Sequence, residues 1–196
     1  MMKVPVYGLV LAGGFSRRMG CDKALLDYHG IPQGRWTGKL LEQVCEKVYY
    51  SCRDGQDLGP GPDLSDTRIH DREEGQGPIG GILLAHEKHS EAAWLVVACD
   101  LPRLSVETLK FLLESRAPEK LATAYNSAHG GLPEPLCAIY EPAAFAALKE
   151  SFESGLKCPR KFLINSDPVH LIDLPDRVAL DNANTPEEAE SMRAQH

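Results

Sequence analysis

An apolar stretch, residues 4–12, runs directly into a glycine-rich segment, residues 13–23, and this junction constrains the fold more than any other feature of the chain. The apolar stretch predicts a buried β-strand. Glycines directly after a strand let the backbone approach a ligand closely and point N–H groups at it. Such a ligand would lie at the carboxyl end of the strand, which is where open α/β sheets bind their ligands.

Three cations, Arg17, Arg18 and Lys23, accompany these glycines. Cationic side chains can neutralise an anion that backbone amides already hold, as expected for a nucleoside triphosphate. The segment therefore predicts a phosphate-binding loop, and a tight turn with a solvated basic face is the alternative. The chain has neither the G-x-x-x-x-G-K-[ST] nor the G-x-G-x-x-G pattern, so two better-known phosphate loops are excluded.

Predicted strands alternate with predicted helices along the chain. The connection at 53–66, with Gly-Pro-Gly-Pro at its centre, is expected to be exposed, and the second glycine-rich segment, 75–81, is expected to be a loop that opens a helix. The alternation predicts one Rossmann-like, three-layer α/β domain over residues 1–196, with a mostly parallel sheet and helices on both faces. Predicted strands lie at 48–52, 68–70, 94–98, 121–125, 136–140 and 169–172, and predicted helices at 40–48, 81–89, 105–113, 143–152, 159–164 and after a capping box at 185–188.

The composition restricts the functional classes. A net charge of −7 argues against broad binding of nucleic acid or anionic membranes, and it makes the basic residues at 17–23 a local exception. The six cysteines form no C-x-x-C pair, so neither a zinc site nor a redox dithiol is indicated. No secretory hydrophobic region and no apolar segment of about 18–20 residues is present, so we expect a cytoplasmic protein.

Two aspartates follow predicted strands. Asp100 comes after the apolar run 94–98, where an ionised carboxylate is costly unless a cation or hydrogen-bond donors compensate it. A carboxylate beside bound phosphates normally holds Mg²⁺, and the alternative of a helix cap is weaker because Ser105 already fills that position. Asp71 could accept hydrogen bonds from a ribose or a base edge, or it could cap a turn.

Five motifs in the same order resemble those of the molybdenum cofactor guanylyltransferases, the MobA-like nucleotidyltransferases. The resemblance covers nearly the whole chain. The motifs are L-A-G-G-x-S-x-R-M-G-x-D-K at 11–23, G-P-x-G-G at 77–81, A-C-D-x-P at 98–102, E-P-L at 134–136 and N-x-N-T-P-E-E at 182–188.

The resemblance also implies roles for single residues. Arg18, Lys23 and Asp100 would be catalytic, with Asp100 also the Mg²⁺ ligand. The segment 31–36 replaces the K-P-L sequence usual in the family, and Ser51 stands where relatives often have asparagine. The nucleotide would contact Leu11, Ala12, Gly13, Gly14, Lys23, Ser51, Asp71 and Asp100, and the pterin substrate would contact Glu134, Asn182 and Asn184.

The implied reaction transfers GMP from GTP to molybdopterin with Mg²⁺ and releases pyrophosphate. A phosphate nucleophile is already ionised at neutral pH, so no general base is required. The alternatives are a CTP-dependent molybdopterin cytidylyltransferase, a sugar-phosphate nucleotidyltransferase and a non-catalytic molybdopterin carrier. GTP, molybdopterin and molybdoenzyme-maturation proteins are the expected partners, without nucleic acid or membrane.

Overall fold

The computed structural model describes residues 4–13, 22–71, 75–128, 130–183 and 188. Within them, seven strands form one sheet in the order β3-β2-β1-β4-β6-β5-β7. The strands are β1 Val6–Leu11, β2 Lys47–Cys52, β3 Arg68–His70, β4 Ala93–Ala98, β5 Ala122–Asn126, β6 Pro133–Tyr140 and β7 Val169–Asp173. The helices are α1 Gln33–Glu42, α2 Gly77–Lys88, α3 Val106–Glu114, α4 Ala144–Glu153 and α5 Pro159–Asn165. Two short 3₁₀ turns, Lys23–Leu25 and Ser65–Thr67, complete the described elements.

The sheet is mostly parallel. Strand β1 pairs in parallel with β2 and β4, β2 with β3, and β5 with β7, whereas β6 runs antiparallel to both β4 and β5. All six residues of β4 are apolar and buried, as is typical of a central strand with both faces covered.

Helices cover both faces of the sheet. Val10 and Val97 belong to the core under α1 and α3, whereas their neighbours Leu9 and Val96 belong to the core under α2, α4 and α5. Successive residues of a strand point to opposite faces, so each central strand supplies both cores. The predicted α/β architecture with helices on both faces is confirmed. No described helix is long and apolar enough to cross a membrane.

Helix α1 differs from the helix predicted at 40–48. It begins at Gln33 and ends at Glu42. The apolar residues that suggested a longer helix, Val44, Cys45 and Val48, pack against the core from the turn after α1 and from β2. Gly34 and Gly38 disfavour a helix on propensity alone. Close packing explains why glycine occupies both positions of the helix: a Cβ atom at Gly34 would lie 3.2 Å from the Ala24 Cβ, and one at Gly38 would overlap the Tyr50 hydroxyl.

Two predicted loops also need correction. The segment 75–81 is not a loop before a helix, since α2 begins at Gly77 and includes its remaining glycines. The connection 53–66 is not exposed throughout, because Gln56 and Leu58 are buried and contact the ends of other elements. Most of the capping box predicted at 185–188 lies outside the described residues.

Candidate active site

The carboxyl ends of β1, β2 and β4 meet at one edge of the sheet. Leu11 is in register with Ser51 on one side and with Ala98 on the other. Backbone hydrogen bonds extend this register beyond the strands, from Ala12 N to Ser51 O at 2.9 Å and from Cys99 N to Leu11 O at 3.3 Å. The residues that follow the three strands are therefore held side by side.

Lys23 and Asp100 form an ion pair at this edge. The Lys23 Nζ lies 3.0 Å from the Asp100 Oδ2, and the two side chains are 14% and 23% exposed. Asp22 caps the 3₁₀ turn that Lys23 begins, because its Oδ1 accepts a hydrogen bond from Ala24 N at 3.0 Å. The charge of Asp100, costly at the end of a buried strand, is thus compensated by a residue from the glycine-rich motif.

A second carboxylate, Asp71, lies beside the end of β1. Its Oδ1 accepts a hydrogen bond from the Ser51 hydroxyl at 3.3 Å, and its backbone N donates to Cys52 O at 3.1 Å. A Cβ atom at Gly13 would lie only 2.8 Å from the Asp71 Oδ2, so a larger residue there would displace the Asp71 carboxylate. Burial raises the pKa of the Asp71 carboxyl above its usual value, and the Ser51 hydrogen bond and the Arg53 charge only partly oppose this shift.

A cavity of about 230 Å³ opens on the other side of Asp100. In its wall, the Glu134 Oε2 accepts a hydrogen bond from the Arg160 Nη2 at 3.0 Å, and the Arg160 Nε donates to Pro133 O at 3.0 Å. The Asp100 carbonyl accepts a hydrogen bond from Ala183 N at 3.2 Å. The cavity is lined by residues of α2, β4, β6, α5 and the C-terminal segment: Pro78, Ala98, Asp100, Leu101, Glu134, Pro135, Leu136, Cys137, Cys158, Pro159, Arg160, Leu180 and Asn182.

Two residues of the β2–β3 connection reach the same region. The Gln56 Nε2 donates to Ala12 O at 2.9 Å and to the Asp22 Oδ2 at 2.7 Å. The Arg53 guanidinium donates to Gly13 O and to the Asp22 Oδ2, each at 2.8 Å. The end of β1 and the start of the Lys23 turn are therefore tied together by side chains from one turn.

The MobA-like NTP transferase domain matches residues 8–169 of the chain. The chain belongs to this family. Three relatives show how far the similarity extends. A molybdenum cofactor biosynthesis bifunctional protein of Synechocystis sp. is 39% identical over 186 residues, which cover 95% of this chain and 53% of the relative. The chain thus spans about half the length of that protein.

A probable molybdenum cofactor guanylyltransferase of Trichormus variabilis is 33% identical and is matched over 92% of this chain and 86% of its own. The crystal structure of molybdopterin-guanine dinucleotide biosynthesis protein A from Archaeoglobus fulgidus superposes with a TM-score of 0.77 at 24% identity, over 96% of this chain and 97% of the other. The superposition on the Archaeoglobus structure shows that the fold is shared.

Within this MobA-like domain, the structure brings together most of the residues singled out from sequence. Ala12, Gly13, Ser51 and Asp71 cluster on one side of the Lys23–Asp100 pair. Glu134 and Asn182 line the cavity on the other side, together with Asp100. The Leu11 carbonyl accepts the hydrogen bond from Cys99 N and is therefore engaged within the sheet. Gly14, Arg18 and Asn184 lie outside the described residues.

Three side chains near the site were not predicted: Arg53, Gln56 and Arg160. Arg53 and Gln56 belong to a connection rich in glycine and proline, which gives no sign of a buried amide. Arg160 follows Pro159 at the start of α5, and nothing in the sequence indicates that it meets Glu134. Only the folded chain identifies them.

The segment 31–36 contacts the chain that follows β4 and the β2–β3 connection. The Gln33 Nε2 donates to Leu101 O at 3.3 Å. The Arg35 guanidinium donates to the carbonyls of Leu58, Gly59 and Pro62. This segment therefore begins α1 and holds the middle of the β2–β3 connection.

Asp100 fits a Mg²⁺ ion that is shared with substrate phosphates. Among the described residues, no group of three or more His, Cys, Asp or Glu side chains could enclose a metal ion. Mg²⁺ commonly needs only one or two protein carboxylates, since phosphate oxygens and waters complete its octahedral sphere. A single carboxylate at a strand end suits this kind of site and does not suit a metal site made by protein alone.

Proposed function

We propose that this protein transfers GMP from GTP to molybdopterin, releasing pyrophosphate and forming the molybdopterin guanine dinucleotide cofactor. The observation that carries the proposal is the position of Asp100, which pairs with Lys23 at 3.0 Å and also lines the cavity beside Asn182. One carboxylate is thus available to a nucleotide on one side and to an acceptor on the other. The names of relatives, which are molybdenum cofactor guanylyltransferases, support a guanylyl donor and a molybdenum cofactor acceptor.

In the proposed reaction, the terminal phosphate of molybdopterin attacks the α-phosphorus of GTP in line, and pyrophosphate leaves. Lys23 and Arg18 would neutralise charge on the phosphates of the nucleotide. Asp100 would hold Mg²⁺, and the ion would supply neutralisation of the charge that develops on the phosphates. The attacking phosphate is already ionised, so it needs no general base from the protein. The protein positions the two substrates and neutralises the charge on their phosphates.

The proposal assigns the two sides of Asp100 to the two substrates. Asp71 and Ser51, with the backbone of residues 11–14, would contact the base and ribose of the nucleotide. Glu134, Asn182 and Asn184 would contact the phosphate or pterin of the acceptor. This division follows the positions of the cavity and of the strand ends relative to Asp100.

The test is an incubation of the purified protein with Mg²⁺, molybdopterin and each of the four nucleoside triphosphates in turn, followed by measurement of pyrophosphate release. We expect release with GTP and a dinucleotide product that contains guanine. Release with CTP alone would identify a cytidylyltransferase, and release only when a sugar phosphate replaces molybdopterin would identify a sugar-phosphate enzyme. Tight binding of molybdopterin without release would indicate a carrier. We place the reaction in the cytoplasm, with molybdoenzyme-maturation proteins as the recipients of the product.

A further inference from the structure

The Gln56 side chain uses both of its N–H donors to join separate parts of the chain. Its Nε2 donates to Ala12 O at 2.9 Å and to the Asp22 Oδ2 at 2.7 Å, and its Oε1 accepts from Arg53 N at 2.9 Å. Gln56 is only 6% exposed. A carboxamide has two N–H donors, and both are engaged here, so neither is available for another ligand.

Arg53 makes a parallel connection. Its guanidinium donates to Gly13 O and to the Asp22 Oδ2, each at 2.8 Å. The Asp22 Oδ2 thus receives one hydrogen bond from an amide and one from a cation, while its Oδ1 caps the next turn of the chain. Hydrogen bonds to an ionised carboxylate are stronger than those between neutral groups.

The backbone that carries these two side chains is also held by hydrogen bonds. Gln56 N donates to Arg53 O at 3.2 Å, and the Gln56 carbonyl accepts a hydrogen bond from the Arg68 Nη1 at 2.8 Å. Arg68 begins β3, so the turn that carries Arg53 and Gln56 is attached to the sheet. The turn that carries Arg53 and Gln56 is therefore tied to the sheet by hydrogen bonds of its own, in addition to those of its side chains.

Asp22 links Arg53 and Gln56 to Lys23, the next residue in the chain. Its cap on Ala24 N defines the 3₁₀ turn that Lys23 begins, and the Lys23 ammonium then reaches Asp100 at 3.0 Å. An aspartate with both oxygens held restricts the direction in which the next side chain leaves the backbone. Lys23 is a flexible side chain, so this restriction lowers the entropy lost when it contacts a phosphate.

We propose that Gln56 and Arg53 are positioning residues, which act through Asp22 to hold Lys23 in the orientation that serves the nucleotide phosphates. The inference rests on the proposed function in so far as Lys23 is taken to contact the nucleotide. Gln56 and Arg53 touch no substrate in this scheme. Their effect on the reaction is carried by Lys23.

The test is a double-mutant cycle on nucleotide affinity, measured by titration calorimetry with GTP and Mg²⁺. Gln56→Met keeps the length of the side chain and removes its hydrogen bonds. We expect it to weaken GTP binding about tenfold in the otherwise natural chain, as expected for the loss of a charge-assisted contact. In a Lys23→Met background, the same change should weaken binding less than about threefold, because residues that act through one another are not additive. Equal weakening in both backgrounds would overturn the proposal.

Two further variants separate positioning from folding. Tyr125→Phe removes a different buried hydrogen bond, from the Tyr125 hydroxyl to Thr108 O at 2.7 Å, and should lower the melting temperature without changing GTP affinity. Arg53→Met removes the other hydrogen bond to the Asp22 Oδ2. Because the Arg53 side chain is more exposed than that of Gln56, this variant replaces Gln56→Met if the latter does not fold. It should show the same dependence on Lys23, and a loss of affinity that is independent of Lys23 would again refute the positioning role.

A measurement without nucleotide distinguishes this inference from the proposed function. The coupling between Lys23→Met and Asp100→Asn can be measured by urea unfolding, with and without Gln56→Met. We expect the coupling to fall to half or less when Gln56 is changed. If it does so in a protein that releases no pyrophosphate with molybdopterin, the proposed function fails and the positioning role stands, whereas an unchanged coupling refutes the positioning role alone.

Discussion

Replacing Asp100 with asparagine should separate the chemistry of the site from its stability. The change keeps the size of the side chain and removes the charge that faces the Lys23 Nζ at 3.0 Å. Exposed ion pairs contribute about 0–1 kcal/mol, and breaking a fully buried pair costs about 3–5 kcal/mol. With side chains 14% and 23% exposed, and with an amide oxygen still able to accept from Lys23, we expect a loss of about 1–2 kcal/mol in the free energy of unfolding.

The expected loss of activity is larger. Removing one preorganised hydrogen-bond donor to a transition-state charge typically lowers kcat by about 100- to 1,000-fold, or about 2.7–4 kcal/mol, and we expect a loss of this size for Asp100→Asn. The assay is pyrophosphate release from GTP with molybdopterin at saturating GTP, alongside thermal unfolding. A loss of 1 kcal/mol lowers the melting temperature of a chain of this size by about 2–4 °C, so the variant remains folded at assay temperature. Higher Mg²⁺ concentrations should recover part of the rate, because the amide binds the ion more weakly.

A matched control is Asp173→Asn. Asp173 is also a carboxylate at the end of a strand, and its Oδ1 accepts a hydrogen bond from the Asn126 Nδ2 at 3.0 Å. Strands β6 and β5 separate β7 from β4, which precedes Asp100, so this variant should retain the full rate. Natural turnover in Asp100→Asn at ordinary Mg²⁺ would remove Asp100 from the reaction, and an equal loss in Asp173→Asn would attribute the effect to net charge.

Three further changes test the remaining assignments. Lys23→Ala should raise the KM for GTP and lower kcat by about tenfold each, because an ammonium near the phosphates acts in both the ground state and the transition state; steady-state values equal to the natural ones would make Lys23 a structural partner of Asp100 only. Asn182→Ala combined with Asn184→Ala should impair the use of molybdopterin while GTP affinity and melting temperature stay unchanged; full transfer activity with a melting temperature several degrees lower would assign the pair to the fold. Burial raises the pKa of Asp71, so above that raised pKa the ionised carboxylate is less stable in the folded chain than in the unfolded one. Asp71→Asn should therefore raise the melting temperature at pH 7, with a gain that shrinks as the pH falls through the raised pKa, and a gain independent of pH would contradict this reasoning.

The sequence predicts the central strands well because their composition allows little else. The run 94–98 contains only apolar residues, and the structure has a strand there, Ala93–Ala98. The direction of β6 was not predictable, because a strand's own residues carry little information about which neighbour it will pair with. Its antiparallel register, with Val96 opposite Ala138, depends on the path of the whole chain. Helix α1 shows the converse, since packing against Tyr50 overrides the low helix propensity of Gly38.

The site was predictable where it follows strands and unpredictable where a connection folds back. Asp100 could be singled out because a carboxylate at the end of a buried strand needs a cation or hydrogen-bond donors. Lys23 could be singled out because it is a cation beside the glycines that follow β1. Gln56 could not be singled out, because its role depends on contacts with Ala12 and Asp22. Those residues are distant in sequence, and Gln56 meets them only because the β2–β3 connection folds back toward β1. Glycine and proline around Gln56 indicate a loop, and they say nothing about what the loop encloses.

Asp100 connects the two sides of the site through different atoms. Its side chain pairs with Lys23, whereas its backbone carbonyl accepts the hydrogen bond from Ala183 N that places Asn182 at the cavity. A substitution of the side chain leaves the carbonyl in place, so Asp100→Asn should not disturb the segment that carries Asn182. The KM for molybdopterin should then stay near its natural value while kcat falls. A rise in that KM as large as the fall in kcat would mean that the carboxylate itself, and not only the backbone, organises the acceptor side.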